Sequence, residues 1–165
     1  MYEQFYGLSE KPFALTPNPR FVFQSEQYRT AEEALLYGVA QKEGFMLVTG
    51  APGTGKTTLC RDLLEKLDPE KYRVALLFNP FLNGVEMLQA LLSEFALGDA
   101  TTTSRKELLD RLNTYLLQQL ANGRTSIAIF DEAQHLSTEF LEQIRVLSNL
   151  ETDREKLIQI ILVGQ

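Results

Sequence analysis

A three-layer α/β/α fold on a mainly parallel sheet is what this sequence predicts, and two observations carry the prediction. Four short apolar runs alternate with longer stretches of helical periodicity, the pattern of strands joined by helical crossovers. The first run also leads straight into a glycine-rich turn that opens a helix, so a tight loop sits at the C-terminal end of a strand. The 165 residues, 44% hydrophobic and 23% charged, have the balance of one folded domain.

Residues 2–23 carry Phe5-Tyr6-Gly7-Leu8, Pro12-Phe13 and Thr16-Pro17-Asn18-Pro19. Prolines at that density bar a continuous helix, and the interspersed rings predict a clamp pressed onto the domain. The boundaries are 1–24 for this segment and 25–165 for the core. After Ser25, a capping residue, Ala31, Leu35, Leu36 and Val39 recur at helical spacing until Gly44. Residues 45–49 read as a buried strand. A helix starting near Gly55 or Lys56 carries Leu59, Leu63, Leu64 and Leu67 and stops before Pro69, and residues 72–78 form a second strand.

Asn83 and Glu86 make a capping box ahead of a helix that Gly98 closes, and Ser104 and Glu107 make another ahead of a helix ended by Asn122-Gly123. Residues 127–130 are a third strand, 137–150 an amphipathic helix and 157–163 a fourth strand.

Gly50-Ala51-Pro52-Gly53-Thr54-Gly55-Lys56-Thr57 fits the phosphate-binding loop pattern at every specified position, in the expected strand–loop–helix setting. Its glycines let backbone N–H groups wrap a phosphate at the positive end of a helix. In this reading Lys56 reaches the β- and γ-phosphates of ATP, the Thr57 hydroxyl ligates Mg²⁺, and Thr58 can bond the α-phosphate. Downstream, Ile127-Ala128-Ile129-Phe130-Asp131-Glu132 is an apolar strand delivering two carboxylates at the end where ligands sit in open α/β sheets. Asp131 would hold Mg²⁺ through its water shell, the Walker B role, and Glu132 would polarise a water for attack on the γ-phosphate. A whole strand, 72–78, separates the two motifs, as in P-loop ATPases of the AAA+ class.

The N-terminal Met1-Tyr2-Glu3-Gln4-Phe5-Tyr6-Gly7-Leu8 and Lys11-Pro12-Phe13 blocks resemble the opening of the general secretion pathway ATPase A family. Asp131-Glu132-Ala133-Gln134-His135-Leu136, Leu147-Ser148-Asn149-Leu150-Glu151-Thr152-Asp153 and the run from Leu157 to Gln165 are similar to that family too. Mannose-sensitive pilus and exosortase-system ATPases are close relatives that these residues do not separate. The resemblance implies an AAA+ ATPase at the cytoplasmic face of a bacterial inner membrane, working as a homo-oligomer with an inner-membrane secretion or pilus partner. It gives Asn79, at the end of the second strand, a choice between restraining Glu132 and merely capping the strand before Pro80. Gln165 falls where such proteins carry a γ-phosphate-sensing residue. The family's fifth strand and helical lid would lie beyond Gln165, so the chain is expected to expose a hydrophobic sheet edge, to hold nucleotide weakly and to have little or no activity alone. Phe13, Phe23 and Tyr28 are candidate adenine neighbours, equally plausible as packing residues.

The charge balance, 16 Lys+Arg against 22 Asp+Glu for a net −6, and scattered Lys11, Arg20 and Arg29 argue against direct nucleic-acid contact. An ATP-dependent DNA-binding regulator of the transposition type nevertheless stands as the alternative, because such proteins share a similar Asp-Glu-Ala-Gln-His stretch. A nucleotide switch without turnover is a third reading. The lone Cys60 excludes an internal disulfide, His135 has no metal-binding companion, and Arg145 and Arg154 read as solvated surface rather than an arginine finger. No run approaches the length of a membrane span.

Overall fold

The computed structural model describes residues 2–9, 23–98 and 102–165. Its four strands, β1 (Phe45–Thr49), β2 (Tyr72–Leu77), β3 (Thr125–Phe130) and β4 (Ile158–Gly164), form one sheet in the order β1-β4-β3-β2. Every pairing is parallel, with Phe45 opposite Ile160, Ser126 opposite Ile158 and Tyr72 opposite Thr125. Helices α1 (Tyr2–Tyr6), α2 (Glu26–Ala40), α3 (Lys56–Lys66), α4 (Gly84–Glu94), α5 (Arg105–Ala121) and α6 (Thr138–Ser148) complete the described elements.

Strand alternation divides the core into two layers. Ala128, Phe130, Ile160 and Leu162 face α4, α5 and α6, while Ile127, Ile129, Ile161 and Val163 face α2 and α3. A sheet buried on both faces needs apolar residues at successive positions, which is why β3 and β4 read as continuous runs. β1 is different. It pairs only with β4 among the described residues, and Phe45 and Leu47 are 51% and 63% exposed, so this edge of the sheet is apolar.

Several local expectations are corrected. Tyr2–Tyr6 is a short helix ahead of the prolines, and Phe5 and Phe23 are 81% and 88% exposed, not pressed onto the core; Pro12, Phe13 and the Thr16–Pro19 block lie outside the described residues. Helices α2 and α4 do not wait for Gly44 and Gly98. Lys42 (φ 59) and Ala96 (φ 58) take the left-handed position, and the amides of Glu43 and Leu97 donate back to the carbonyls of Gly38 and Leu92. These are Schellman closures without glycine. The capping box at α4 is complete. At α5 only half forms, because Ser104 accepts from the Glu107 amide while the Glu107 carboxylate accepts from the Thr102 hydroxyl instead.

Candidate functional site

The glycine-rich loop leaves β1 beside the end of β4, where the Gly50 amide donates to the Gly164 carbonyl at 3.2 Å. Gly53 and Gly55 have φ of 77° and 87°, a region costly for residues with a Cβ, so the loop can fold back before α3 begins. Within it the Thr54 hydroxyl donates to the Ala51 carbonyl at 2.8 Å. The Lys56 ammonium arches over the loop and donates to the Gly50 and Ala51 carbonyls at 2.8 and 2.9 Å.

Helix α3 starts without a side-chain cap at Gly55, whereas Ser25, Asn83, Ser104 and Ser137 each cap their own helices. The first amides of α3 therefore keep free donors at the positive end of the helix. Ala51, Pro52, Gly53 and Thr54 form the exposed rim of the loop, while Lys56, Thr57 and Thr58 are half-buried behind it.

The second strand end converges on this loop from 74 residues away. The Thr57 hydroxyl donates to Asp131 Oδ2 at 2.6 Å, and Asp131 Oδ1 accepts the Glu132 amide at 2.8 Å. Asp131 is 3% exposed, so its two hydrogen bonds offset much of what burying the carboxylate costs. Glu132 itself is exposed and left-handed, with φ 57° and ψ 35°. It leads into a single 3-10 turn over Ala133–His135, and its carboxylate accepts from the Gln134 side-chain amide at 2.5 Å.

A hydroxyl and a carboxylate are hard oxygen donors of the kind Mg²⁺ takes, and a loop with an uncapped helix start and an arching ammonium suits the phosphates of ATP. The residues present fit both groups.

Other candidate residues fall as follows. The Asn79 side chain accepts from the Phe81 amide at 3.0 Å, and the Gln165 backbone N–H donates to Gln134 Oε1 at 3.1 Å. A cleft of about 200 Å³ beside the loop is lined by Ser25, Gln27, Tyr28, Thr49 and Leu59 with the loop residues. Tyr28 contributes its ring there while its hydroxyl donates to Asp62 at 2.8 Å, and burial followed by the Asp62 bond pushes that hydroxyl's pKa up. His135 lies against the Phe81 ring, centroids 6.2 Å apart. Arg145 pairs with Glu142 on an exposed helix face, and Cys60 is buried behind the loop.

Sequence reading overlooked Gln134 and the Tyr28–Asp62 pair. Gln134 was visible only as part of a quoted block, since a 3-10 turn repeats at neither helical nor strand spacing.

The AAA domain family matches residues 39–165. The chain belongs to that family. As an AAA domain it is 46% identical over all 165 residues to the general secretion pathway protein A of Aeromonas hydrophila, of which it spans 30%. Among solved structures, this AAA domain superposes on the Aeropyrum pernix ORC2 protein in its ADPNP–ADP complexes with a TM-score of 0.65, at 18% identity over 93% of this chain and 44% of that one. A Drosophila ORC structure bound to DNA gives a TM-score of 0.66 at 14% identity, covering 93% and 41%. Both show the fold. The relationship to general secretion pathway protein A bears out the family resemblance read from the N-terminal and Asp131–Leu136 blocks.

Proposed function

We propose that this AAA domain binds Mg·ATP at the Gly50–Thr57 loop and, in the full-length protein, hydrolyses it to drive assembly in a secretion, pilus or exopolysaccharide system at the cytoplasmic face of the inner membrane. The observation that carries the reading is the 2.6 Å bond between Thr57 and Asp131. It brings a phosphate-loop hydroxyl and a strand-end carboxylate to one point, beside an ammonium and a helix start that keep unspent donors.

In this reading the uncapped amides of α3 and Lys56 bind the β- and γ-phosphates, with Lys56 exchanging its loop carbonyls for phosphate oxygens. Thr57 and Asp131 hold Mg²⁺, which when bound neutralises charge on the phosphates. Glu132 orients a water and takes its proton as the water oxygen bonds to the γ-phosphorus and the bridge to ADP breaks. Gln165, at the end of β4, lies on the same rim and would sense the γ-phosphate. Asn79, engaged with Phe81, caps its turn in this state; restraint of Glu132 by Asn79 would need it to leave that bond. The Tyr28 cleft is the place for the base and ribose.

The kinship with a secretion protein supports the pathway and, with it, a membrane partner and an oligomer. Among the described residues no helix is long and apolar enough to cross a membrane. The DNA-binding alternative has less support. Lys42, Lys66, Lys71, Arg124, Arg145 and Lys156 are each paired with a carboxylate, so those cations do not make a free basic stripe.

The test is ATP turnover by the full-length protein and its Glu132→Gln variant. Turnover should fall by about 10²-fold or more while nucleotide affinity persists. Equal turnover in the variant would remove Glu132 from the chemistry.

A further inference from the structure

An exposed member of the site, Glu132, is constrained at both its backbone and its side chain. Glu132 stands in a left-handed conformation that non-glycine residues seldom adopt, with its backbone N–H donating to Asp131 Oδ1. Its side chain is then held by one group, the Gln134 amide, which donates to Oε2. The other end of that amide, Oε1, accepts the Gln165 backbone N–H at the tip of β4. The two partners are opposite in kind. A carboxylate only accepts and a backbone N–H only donates, so a side-chain amide satisfies both where a carboxylate or a hydrocarbon cannot. The two contacts also fix which end of the amide is nitrogen.

β4 is shaped for this contact. A Cβ on Gly164 would lie 3.0 Å from Gln134 Oε1 and 3.1 Å from the Gln134 backbone nitrogen. The missing side chain at Gly164 lets the turn lie directly on the strand end, and strand and turn together fix where Gln134 can reach.

We propose that Gln134 is the positioning residue of the hydrolytic centre, tying the Glu132 carboxylate to the tip of β4 so that one oxygen is held and the other is left aimed at the attacking water. The assignment rests on Glu132 being the base. Without Gln134, an exposed glutamate samples several rotamers, and a fraction of encounters finds the carboxylate misplaced. The role belongs to Gln134 and not to Asn79, whose side chain serves the Phe81 amide.

The experiment uses the full-length protein and four variants, Gln134→Leu, Gln134→Glu, Gly164→Ala and Glu132→Gln, with kcat, KM, nucleotide affinity and melting temperature measured for each. Gln134→Leu should lower kcat by about tenfold with KM and affinity unchanged, the loss of an interaction needed in the transition state. Gln134→Glu should lower it further, because it keeps an acceptor for Gln165 but sets a carboxylate against Glu132. Gly164→Ala, which keeps the glutamine but crowds it away from the tip of β4, should lower kcat in the same way. Combined with Glu132→Gln, Gln134→Leu should have no additional effect on the residual rate, since the two act through one group.

A readout free of turnover comes from the nucleotide-free protein, where the Gln134 side-chain NH₂ proton resonance, assigned by its loss in Gln134→Leu, should move upfield in Glu132→Ala. An additive effect in the double variant, an unchanged or increased kcat in Gln134→Leu, or an unmoved resonance would overturn the proposal. If Glu132→Gln itself leaves turnover intact, the assignment of the base has failed instead.

Discussion

Two side chains on the short segment from Asp131 to Gln134 illustrate how little separates structural from chemical duty. Asp131 is buried and doubly bonded, Glu132 exposed and singly held. The residue types and the strand end were legible in the sequence, because an apolar run followed by two acids is a linear pattern. Gln134 was not, because what marks it out is a pair of side-chain contacts, with residues two and 31 positions away.

Behind the same loop, Cys60 is buried, and burial first, with the nearby Asp131 charge second, pushes its thiol from 9.0 up to about 12. A thiol whose pKa is raised on folding binds its proton more tightly in the folded chain. Its contribution is therefore full below about pH 9 and is lost as pH rises toward 12. Urea unfolding at pH 8 and pH 10.5 should show a larger alkaline loss for the native protein than for Cys60→Ala, at a slope of about 1.4 kcal/mol per pH unit for this group. Equal losses would mean the thiol is not shielded as the fold implies.

At the scale of elements, starts were easier to read than stops. Ser25, Asn83, Ser104 and Ser137 all cap the helices that follow them, since a capping oxygen acts locally. Glycine marks the ends of α2 and α4 too late, since Lys42 and Ala96 occupy the left-handed position. What stops these helices is the back-directed amide of the next residue, not the side chain at the turn. A residue with a Cβ is strained there, so Ala96→Gly should stabilise the domain by about 0.5–1 kcal/mol. Chemical denaturation would show it as a higher midpoint at constant slope; a lower midpoint would contradict the closure described. Strand edges, too, hide from a linear reading. β1 is as apolar as β3, yet Phe45 and Leu47 face solvent because, among the described residues, only one neighbour pairs with it.

For the whole molecule, the layered parallel sheet was legible because βαβ crossovers impose alternating segments, and crossover handedness leaves few ways to arrange them. The exposure of Phe5 and Phe23 was not. Rings and prolines suggest burial by composition, but Phe5 and Phe23 stand exposed, and only contacts with a particular surface could have decided it. The organisation that does emerge sets the loop after β1, the acids after β3 and the tip of β4 side by side at one end of the sheet. Sheet order accounts for this, since β4 lies between β1 and β3. We propose that this end of the molecule is one Mg·ATP site. Titrating a fluorescent ATP analogue into the chain and its Lys56→Ala variant, with and without Mg²⁺, tests it most directly. Saturable, Mg²⁺-sensitive binding that the variant loses is the predicted result, and binding that is indifferent to both Lys56 and Mg²⁺ would contradict it.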